Sequence, residues 1–195
     1  ERAIRFVLGV VSAVATVAGG SGAVIKAGRA AGTPGFYSKS GVVPRGVCFV
    51  AGTLVLAASG LVPIEELRVG DRVETTETMK GEATEEHVGD LLWLSLVMPN
   101  PDGSGDQIDI ELLRTCQWMD DVGATHAGAE IRFALPEMGL EGPATITGID
   151  FDPSIKPGPG RLVLATVTHF NGEVLTIKLK GMDEPLEPTA THKLY

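Results

Sequence analysis

The chain has 195 residues, with 16 Lys and Arg against 25 Asp and Glu, and its formal net charge is -9. With 44% hydrophobic and 21% charged residues it has the composition of a globular protein that buries a core, which excludes wholesale disorder. Gly (25) and Pro (12) are frequent and aromatic residues make up only 5%, so we predict an all-β body of short strands joined by turns.

The charge is unevenly distributed along the chain. Residues 1–47 carry six basic residues and one acid, a balance of +5, so the remaining residues carry -14. An acidic body of this size repels phosphate backbones, and we therefore expect no nucleic-acid partner. The sequence starts at Glu1 instead of Met and ends on the strand-like pair Leu194-Tyr195, so we expect it to be a fragment of a longer protein.

The upstream part, residues 1–31, is apolar, and no charged residue occurs from 6 to 25. Three interpretations stay open for this stretch: a helical hairpin that is buried or docked on a larger protein, a segment that contacts a membrane, and a signal peptide. Its four glycines disfavour a helix. Residues 32–47 are rich in Gly, Pro and Ser and are predicted to be a linker, so the body begins at Cys48.

The first half of the body alternates short apolar runs with turn residues. In chain order the patterns predict a strand over 49–57, a turn at Ser59-Gly60, a short connection over 64–67, a second strand over 71–76 and an exposed acidic loop over 77–90. Two further apolar runs, 91–97 and 108–113, flank a loop-like segment and are predicted to pair as a hairpin.

The second half carries one strong local signal. Residues 114–160 are predicted to be irregular, whereas 161–170 and 173–179 are apolar or alternating and are separated by Asn171-Gly172. An Asn-Gly pair between strands is typical of a tight β-hairpin, because both central residues of a type I′ turn need positive φ. We therefore predict a hairpin here.

Cys48 lies at the junction between the linker and the body. A thiol at this position is next to the peptide bond Val47-Cys48 and can attack its carbonyl carbon through a five-membered ring, which gives a thioester. The shift is uphill because amide resonance is lost and an amine must leave, so a nearby imidazole has to protonate the amide nitrogen. A base or a favourable local field is needed as well, since an ordinary thiol is only a few per cent ionised at neutral pH.

The other cysteine and the histidines give weaker signals. Cys116 lies beside an apolar run and is predicted to be a buried structural thiol. No His or Cys cluster has metal-ligand spacing, so we expect neither a metal nor a cofactor. His169 is predicted to lie on a solvated hairpin, although His169 or His126 could meet Cys48 if the chain folds differently.

Two motifs around Cys48 and near the C-terminus resemble the Hedgehog/intein (Hint) superfamily, and among its members most closely the pretoxin Hint domains of bacterial polymorphic toxins. The first motif is Cys48-Phe49-x-x-Gly52-Thr53-x-Val55, then Gly60, then Pro63-Ile64-Glu65-x-Leu67-x-x-Gly70-Asp71-x-Val73. The second is Thr189-Ala190-Thr191-His192, which matches the Thr-x-x-His of the family.

The resemblance implies a horseshoe-like β fold over 48–195, with an insertion over about 77–160 and with the family's last strands missing from the sequence. It also implies roles for three residues. Cys48 is the expected nucleophile, His192 the group that protonates the leaving nitrogen, and Thr189 a hydrogen-bonding group near the scissile carbonyl. Gly70-Asp71 is interpreted as a structural turn.

These expectations define a cysteine-dependent autoprotease that acts in cis. It would cut Val47-Cys48 inside a large secreted bacterial toxin or surface protein and so release the downstream part. Its own polypeptide would be the substrate, and residues 6–25 would be a membrane-contact segment. Splicing is not expected, because the sequence lacks the His-Asn ending that inteins use. The alternative is a catalytically silent Hint-like structural or binding module.

Overall fold

A computed structural model of the chain describes residues 2–9, 48–74, 89–100, 105–135, 140–171, 174–178, 180 and 185–189, with residues 2–9 and 171 described by their backbone alone. The first strands are β1 (Arg2–Gly9), β2 (Phe49–Val50), β3 (Leu54–Ala57), β4 (Gly60–Pro63) and β5 (Arg72–Val73), and a 3₁₀ helix, η1 (Ile64–Glu66), precedes β5. Then come β6 (Leu91–Pro99), β7 (Gln107–Thr115), α1 (Cys116–Val122), β8 (Glu130–Leu135), β9 (Leu140–Asp150) and β10 (Arg161–Asn171). The predicted all-β class is confirmed.

The strands form one antiparallel sheet system. Their order along the main path is β4-β3-β5-β10-β7-β6-β9-β8, and β1 pairs with both β10 and β2. The predicted hairpin of the two apolar runs is confirmed, since β6 pairs with β7 from Leu91 opposite Thr115 to Pro99 opposite Gln107. From Leu91 to Met98, strand β6 alternates between half-buried and buried residues, as expected for a strand with one face on a core.

Two hydrophobic cores lie along this sheet system and share strand β10. The larger core is built mainly from β6 to β10 and includes Leu94, Phe133 and Ala165. The smaller core lies under β3, η1 and β5, and from β10 it takes Leu162 and Val163. Because β10 contributes its first half to one core and its second half to the other, it connects the two parts of the body.

The structure differs from the sequence prediction over 114–160. This stretch is regular: it contains α1, β8 and β9, and β9 alone has 11 residues. Strand β9 even carries Gly142 and Pro143, two residues that disfavour strands, in its pairing with β8, opposite Phe133 and Arg132. The segment predicted as an insertion thus contributes strands β6 to β9 to the larger core.

The predicted Asn171-Gly172 hairpin is wrong. A hairpin would place residues 173–179 against β10, but Ala165 to Thr168 already pair with β1 on one edge and with β7 on the other. The segment after the Asn-Gly pair instead contacts the chain end: Val174 is bridged to Thr189 and Ile177 to Leu186. An Asn-Gly pair favours a tight turn locally, but it carries no information on whether both edges of the preceding strand are already paired with other strands.

The upstream segment is also partly extended. Residues 2–9 form β1, so the first four residues of the apolar run, 6–9, lie in a strand and not in a helix. Strand β1 lies between β10 and β2, with Ile4 paired to both His169 and Val50. The rest of the apolar run and the predicted linker lie outside the described residues. Within the described residues, no helix has the length and apolarity needed to cross a membrane.

Candidate active site

Cys48 lies at the entrance to β2 and is fully buried, with 0% of its surface exposed. Successive residues of an extended chain point to opposite sides. Cys48 and Val50 accordingly pack into the larger core, while Phe49 packs into the smaller one. The Cys48 side chain is therefore part of the larger core, and Phe49 next to it holds the same segment against the smaller core.

A turn stabilised by side chains of the first sequence motif follows β2. Gly52 has a φ of +88° and donates its N–H to Oε2 of Glu65 at 2.7 Å. The hydroxyl of Thr53 donates to the carbonyl oxygen of Val50 at 2.8 Å, and Ile64 N donates to the carbonyl oxygen of Thr53 at 2.8 Å. These contacts tie β2 to η1 and explain why the motif requires a glycine, a hydroxyl and a carboxylate at these spacings.

The predicted structural turn at Gly70-Asp71 holds the start of β10. Gly70 N donates to the carbonyl oxygen of Val163 at 3.0 Å, and the carbonyl oxygen of Gly70 accepts from Lys156 N at 2.9 Å. The Asp71 carboxylate accepts from Arg68 N at 2.9 Å and forms an ion pair with the Lys156 ammonium at 2.7 Å. This turn fixes β10 at one end, and the other end of the same strand carries His169.

Thr189 reaches Cys48 across 141 residues of sequence and is itself 1% exposed. Its Oγ1 accepts from Cys48 N at 3.2 Å, and its own N–H donates to the carbonyl oxygen of Cys48 at 2.9 Å. Cys48 N is the nitrogen of the bond Val47-Cys48. Thr189 was expected near the scissile carbonyl, whereas the contact in the structure is with the amide nitrogen. Val47 and His192 lie outside the described residues.

His169 is the imidazole that the structure brings to Cys48. Its Nε2 lies 3.6 Å from Cys48 Sγ, and its Nδ1 lies 3.2 Å from the carbonyl oxygen of Phe170. His169 lies in one row with Val50, because Ile4 of β1 pairs with both of them across the three strands. His169 is half-buried, and its contact with Phe170 is exposed. The predicted hairpin around it is wrong, and the alternative in which His169 meets Cys48 is the one observed.

A second Thr-x-x-His in the sequence could have singled out this residue. Thr166-Val167-Thr168-His169 has the same spacing as residues 189–192 and lies on β10. In an extended strand, side chains three positions apart lie on opposite faces. Thr166 accordingly hydrogen-bonds Glu111 on β7 at 3.2 Å, whereas His169 contacts Cys48.

Burial sets the protonation state of the nucleophile. Because the Cys48 thiolate would have to form away from water, burial raises the pKa of the thiol from 9.0 to about 12. At pH 8 only about one side chain in 10,000 is then ionised. In its resting state the site therefore holds a neutral thiol beside an imidazole nitrogen.

Cys116 and His126 lie elsewhere on the body. Cys116 is exposed, so the prediction of a buried thiol was wrong. It is the first residue of α1, where Met119 is the side chain that packs inward. His126 is exposed, and its Nδ1 lies 3.0 Å from the Thr125 hydroxyl.

The fold and the site together define a β domain that buries a junction cysteine beside a histidine and a threonine. A family model for the Hint domain matches residues 47–84, which contain Cys48, the turn at Gly52 and the turn at Gly70-Asp71. This match supports the Hint superfamily and a domain of the autoprocessing type. No curated protein and no solved structure matched the chain.

The Thr189 contact predicts the effect of one substitution. Thr189→Val keeps the shape but leaves the buried N–H of Cys48 without its side-chain acceptor, so we expect the free energy of unfolding to fall by about 2 kcal/mol. Urea unfolding measures the loss of stability, and amide hydrogen exchange measures the loss of protection at Cys48 N–H. Thr189→Ser keeps the hydroxyl and is the control: it should retain protection of the Cys48 amide, and a Val variant with equal protection would contradict the prediction.

Proposed function

We propose that this domain cleaves its own chain at Val47-Cys48. The thiol of Cys48 attacks the carbonyl carbon of Val47, the C–N bond breaks as the acyl group moves from nitrogen to sulfur, and hydrolysis of the thioester completes the cut. The observation that carries the proposal is the convergence of His169 and Thr189 on Cys48, one at the sulfur and one at the amide nitrogen of the same residue. His192, which the resemblance assigns as proton donor to that nitrogen, completes the proposed machinery.

The wider setting is part of the same proposal. The resemblance to pretoxin Hint domains supports a domain inside a large secreted bacterial toxin or surface protein, in which the cut separates a delivery region upstream from the part downstream. The substrate is the chain itself, and residues 6–25, of which 6–9 are paired in β1, are the proposed membrane-contact segment. The apolar composition of that segment supports this last point.

One observation favours the second candidate, a catalytically silent Hint-like module. Cys48 is fully buried, and its pKa is raised to about 12, so the thiol rests in its unreactive form. A catalytically silent module requires only a buried, protonated cysteine of this kind. An active one needs a group that removes the proton as the sulfur attacks.

Intact-mass analysis of the full chain separates the two candidates. We expect wild type to yield a fragment that begins at Cys48, with more of it in hydroxylamine, because hydroxylamine cleaves thioesters. Cys48→Ala should stay whole in every tube, and His192→Ala should be slowed. Cys116→Ala removes the other, exposed thiol and is the matched control, so it should cleave like wild type. One uncut mass for wild type, with and without hydroxylamine, would establish the silent module.

A further inference from the structure

We infer that His169 is the general base that takes the proton from Cys48 Sγ as the sulfur attacks. The inference rests on the proposed function and adds a catalytic residue that the family motifs do not supply. It stands on two contacts of one imidazole ring: Nε2 with Cys48 Sγ at 3.6 Å, and Nδ1 with the carbonyl oxygen of Phe170 at 3.2 Å.

The contact with Phe170 determines which nitrogen carries the proton. A carbonyl oxygen can only accept a hydrogen bond, so Nδ1 must be the donor in that contact. A neutral imidazole has one N–H, and Nε2 is then left with its lone pair directed at the sulfur. The Cys48 thiol donates to Nε2 across 3.6 Å, a separation suited to a sulfur donor. The ring is thus held in the tautomer that accepts a proton.

Burial makes a protein base necessary. Cys48 is 0% exposed, so solvent hydroxide cannot reach its sulfur in the folded state. Ionisation before attack would also be costly, because the thiolate would form in the core without water. Transfer of the proton to an adjacent imidazole while the S–C bond forms avoids a free buried thiolate. Among the described residues that contact Cys48, His169 supplies the basic nitrogen.

The proton balance of the cycle closes. In the first step Sγ bonds to the carbonyl carbon of Val47 and its proton passes to His169 Nε2. As the C–N bond breaks, the Cys48 nitrogen takes one proton from His192, the proposed donor, and becomes an amine. Water then adds to the thioester and gives up one proton, which restores His192. The C–S bond breaks, and protonated His169 returns its proton to the departing sulfur. No cofactor, oxidant or reductant is required.

Several charged groups belong to the strands that neighbour His169. On β7, Asp109 pairs with Thr168 and Glu111 with Thr166. Paired residues share a face of the sheet, so both acids belong to the face opposite to that of His169. On β1, Arg2 and Arg5 pair with Asn171 and Thr168. In the segment that contacts β2, Glu187 accepts from Val50 N through its carbonyl oxygen. Since these groups are common to wild type and variant, a comparison of the two pH profiles isolates the contribution of His169.

The test is the rate of cleavage at Val47-Cys48 in the full chain, followed by intact mass in hydroxylamine. His169→Gln keeps a polar side chain of similar reach but has no basic nitrogen, and we expect its rate to fall by about 100-fold or more. His169→Ala should fall similarly. His126→Gln replaces an exposed histidine and is the matched control, with a rate within about twofold of wild type.

A second readout distinguishes a base from a residue that only supports the fold. Without the imidazole, the proton must leave to hydroxide during local opening of the core. The rate of His169→Gln should then rise close to tenfold per pH unit between about pH 7 and 9, while the rate of wild type rises less steeply. Urea unfolding confirms that each variant is folded, and His169→Ala replaces the Gln variant if the latter is not.

Each result has a separate meaning. Cleavage of wild type with an unchanged rate in folded His169→Gln overturns the assignment of the base and leaves the proposed function intact. A slow variant whose pH profile parallels that of wild type also overturns it, because the loss would then be structural. A wild-type chain that stays whole in every tube overturns the proposed function and the base together.

Discussion

Gly70→Ala is expected to lower the free energy of unfolding by about 3 kcal/mol, the largest stability effect of the substitutions considered. Two costs combine at this position. The φ of +92° is unfavourable for any residue with a Cβ, which accounts for about 1–2 kcal/mol. In addition, a Cβ on Gly70 would overlap the carbonyl oxygen of Ser154, which is backbone and cannot rotate away. The loop would have to shift, and the contacts of Gly70 with Val163 and Lys156 would shift with it.

Gly123→Ala is the matched control for this prediction. Gly123 also has a positive φ, +76°, where it ends α1, but a Cβ there meets nothing within 4 Å. Only the conformational cost of about 1 kcal/mol then remains. Urea unfolding of wild type and both variants measures the difference. If the free energy of unfolding fell equally in the two alanine variants, the close approach of Ser154 to Gly70 would make no contribution to stability, and the prediction would be wrong.

The second large effect is a loss of stability at alkaline pH that depends on Cys48. The pKa of this thiol is raised from 9.0 to about 12 in the folded state, so the folded chain keeps its proton over a range in which the unfolded chain loses it. The contribution of the neutral thiol is therefore fully present below about pH 9 and is lost as the pH rises towards 12. The total is about 4 kcal/mol, of which about 2 kcal/mol is lost by pH 10.5.

Urea unfolding of wild type and Cys48→Ala from pH 8 to 10.5 tests this prediction. The packing lost with the sulfur costs the same at every pH, whereas only wild type loses the contribution of the neutral thiol as the pH rises. The gap in stability between wild type and Cys48→Ala should therefore shrink with rising pH. Cys116→Ala is the control and should follow wild type, because its exposed side chain meets water in both states. Two curves that stay parallel up to pH 10.5 would mean that the Cys48 sulfur is hydrated in the folded chain.

The sequence predicted the parts of the fold that depend on local chemistry. The apolar runs and turn residues of the first motif predicted β3, β5, the short connection that forms η1 and the turn at Gly70-Asp71, and the two apolar runs around a loop-like segment predicted the hairpin of β6 and β7. Strand β4 was not predicted. These features are encoded by neighbouring residues whose conformational preferences agree. The Cys48 position was singled out because a junction cysteine has distinctive chemistry.

What the sequence could not predict depends on strands that are distant in the chain. His169 meets Cys48 because β1 pairs with β10 on one edge and β2 on the other, and no local pattern encodes that order of strands. The same long-range pairing occupies both edges of β10 and excludes the Asn171-Gly172 hairpin. Thr189 was found from its motif, but its contact with the nitrogen of Cys48 depends on how residues 187–189 lie against β2.

The position of β1 affects what a cut at Val47-Cys48 achieves. Strand β1 belongs to the upstream side of that bond, yet its backbone is paired along β10 from Arg2 to Gly9 and also with β2. Breaking one covalent bond leaves all of these backbone hydrogen bonds in place. The two products would then remain together as a nicked, non-covalent pair, and their separation would be a distinct event governed by the unzipping of β1. Scission and departure are therefore two steps with two different rates.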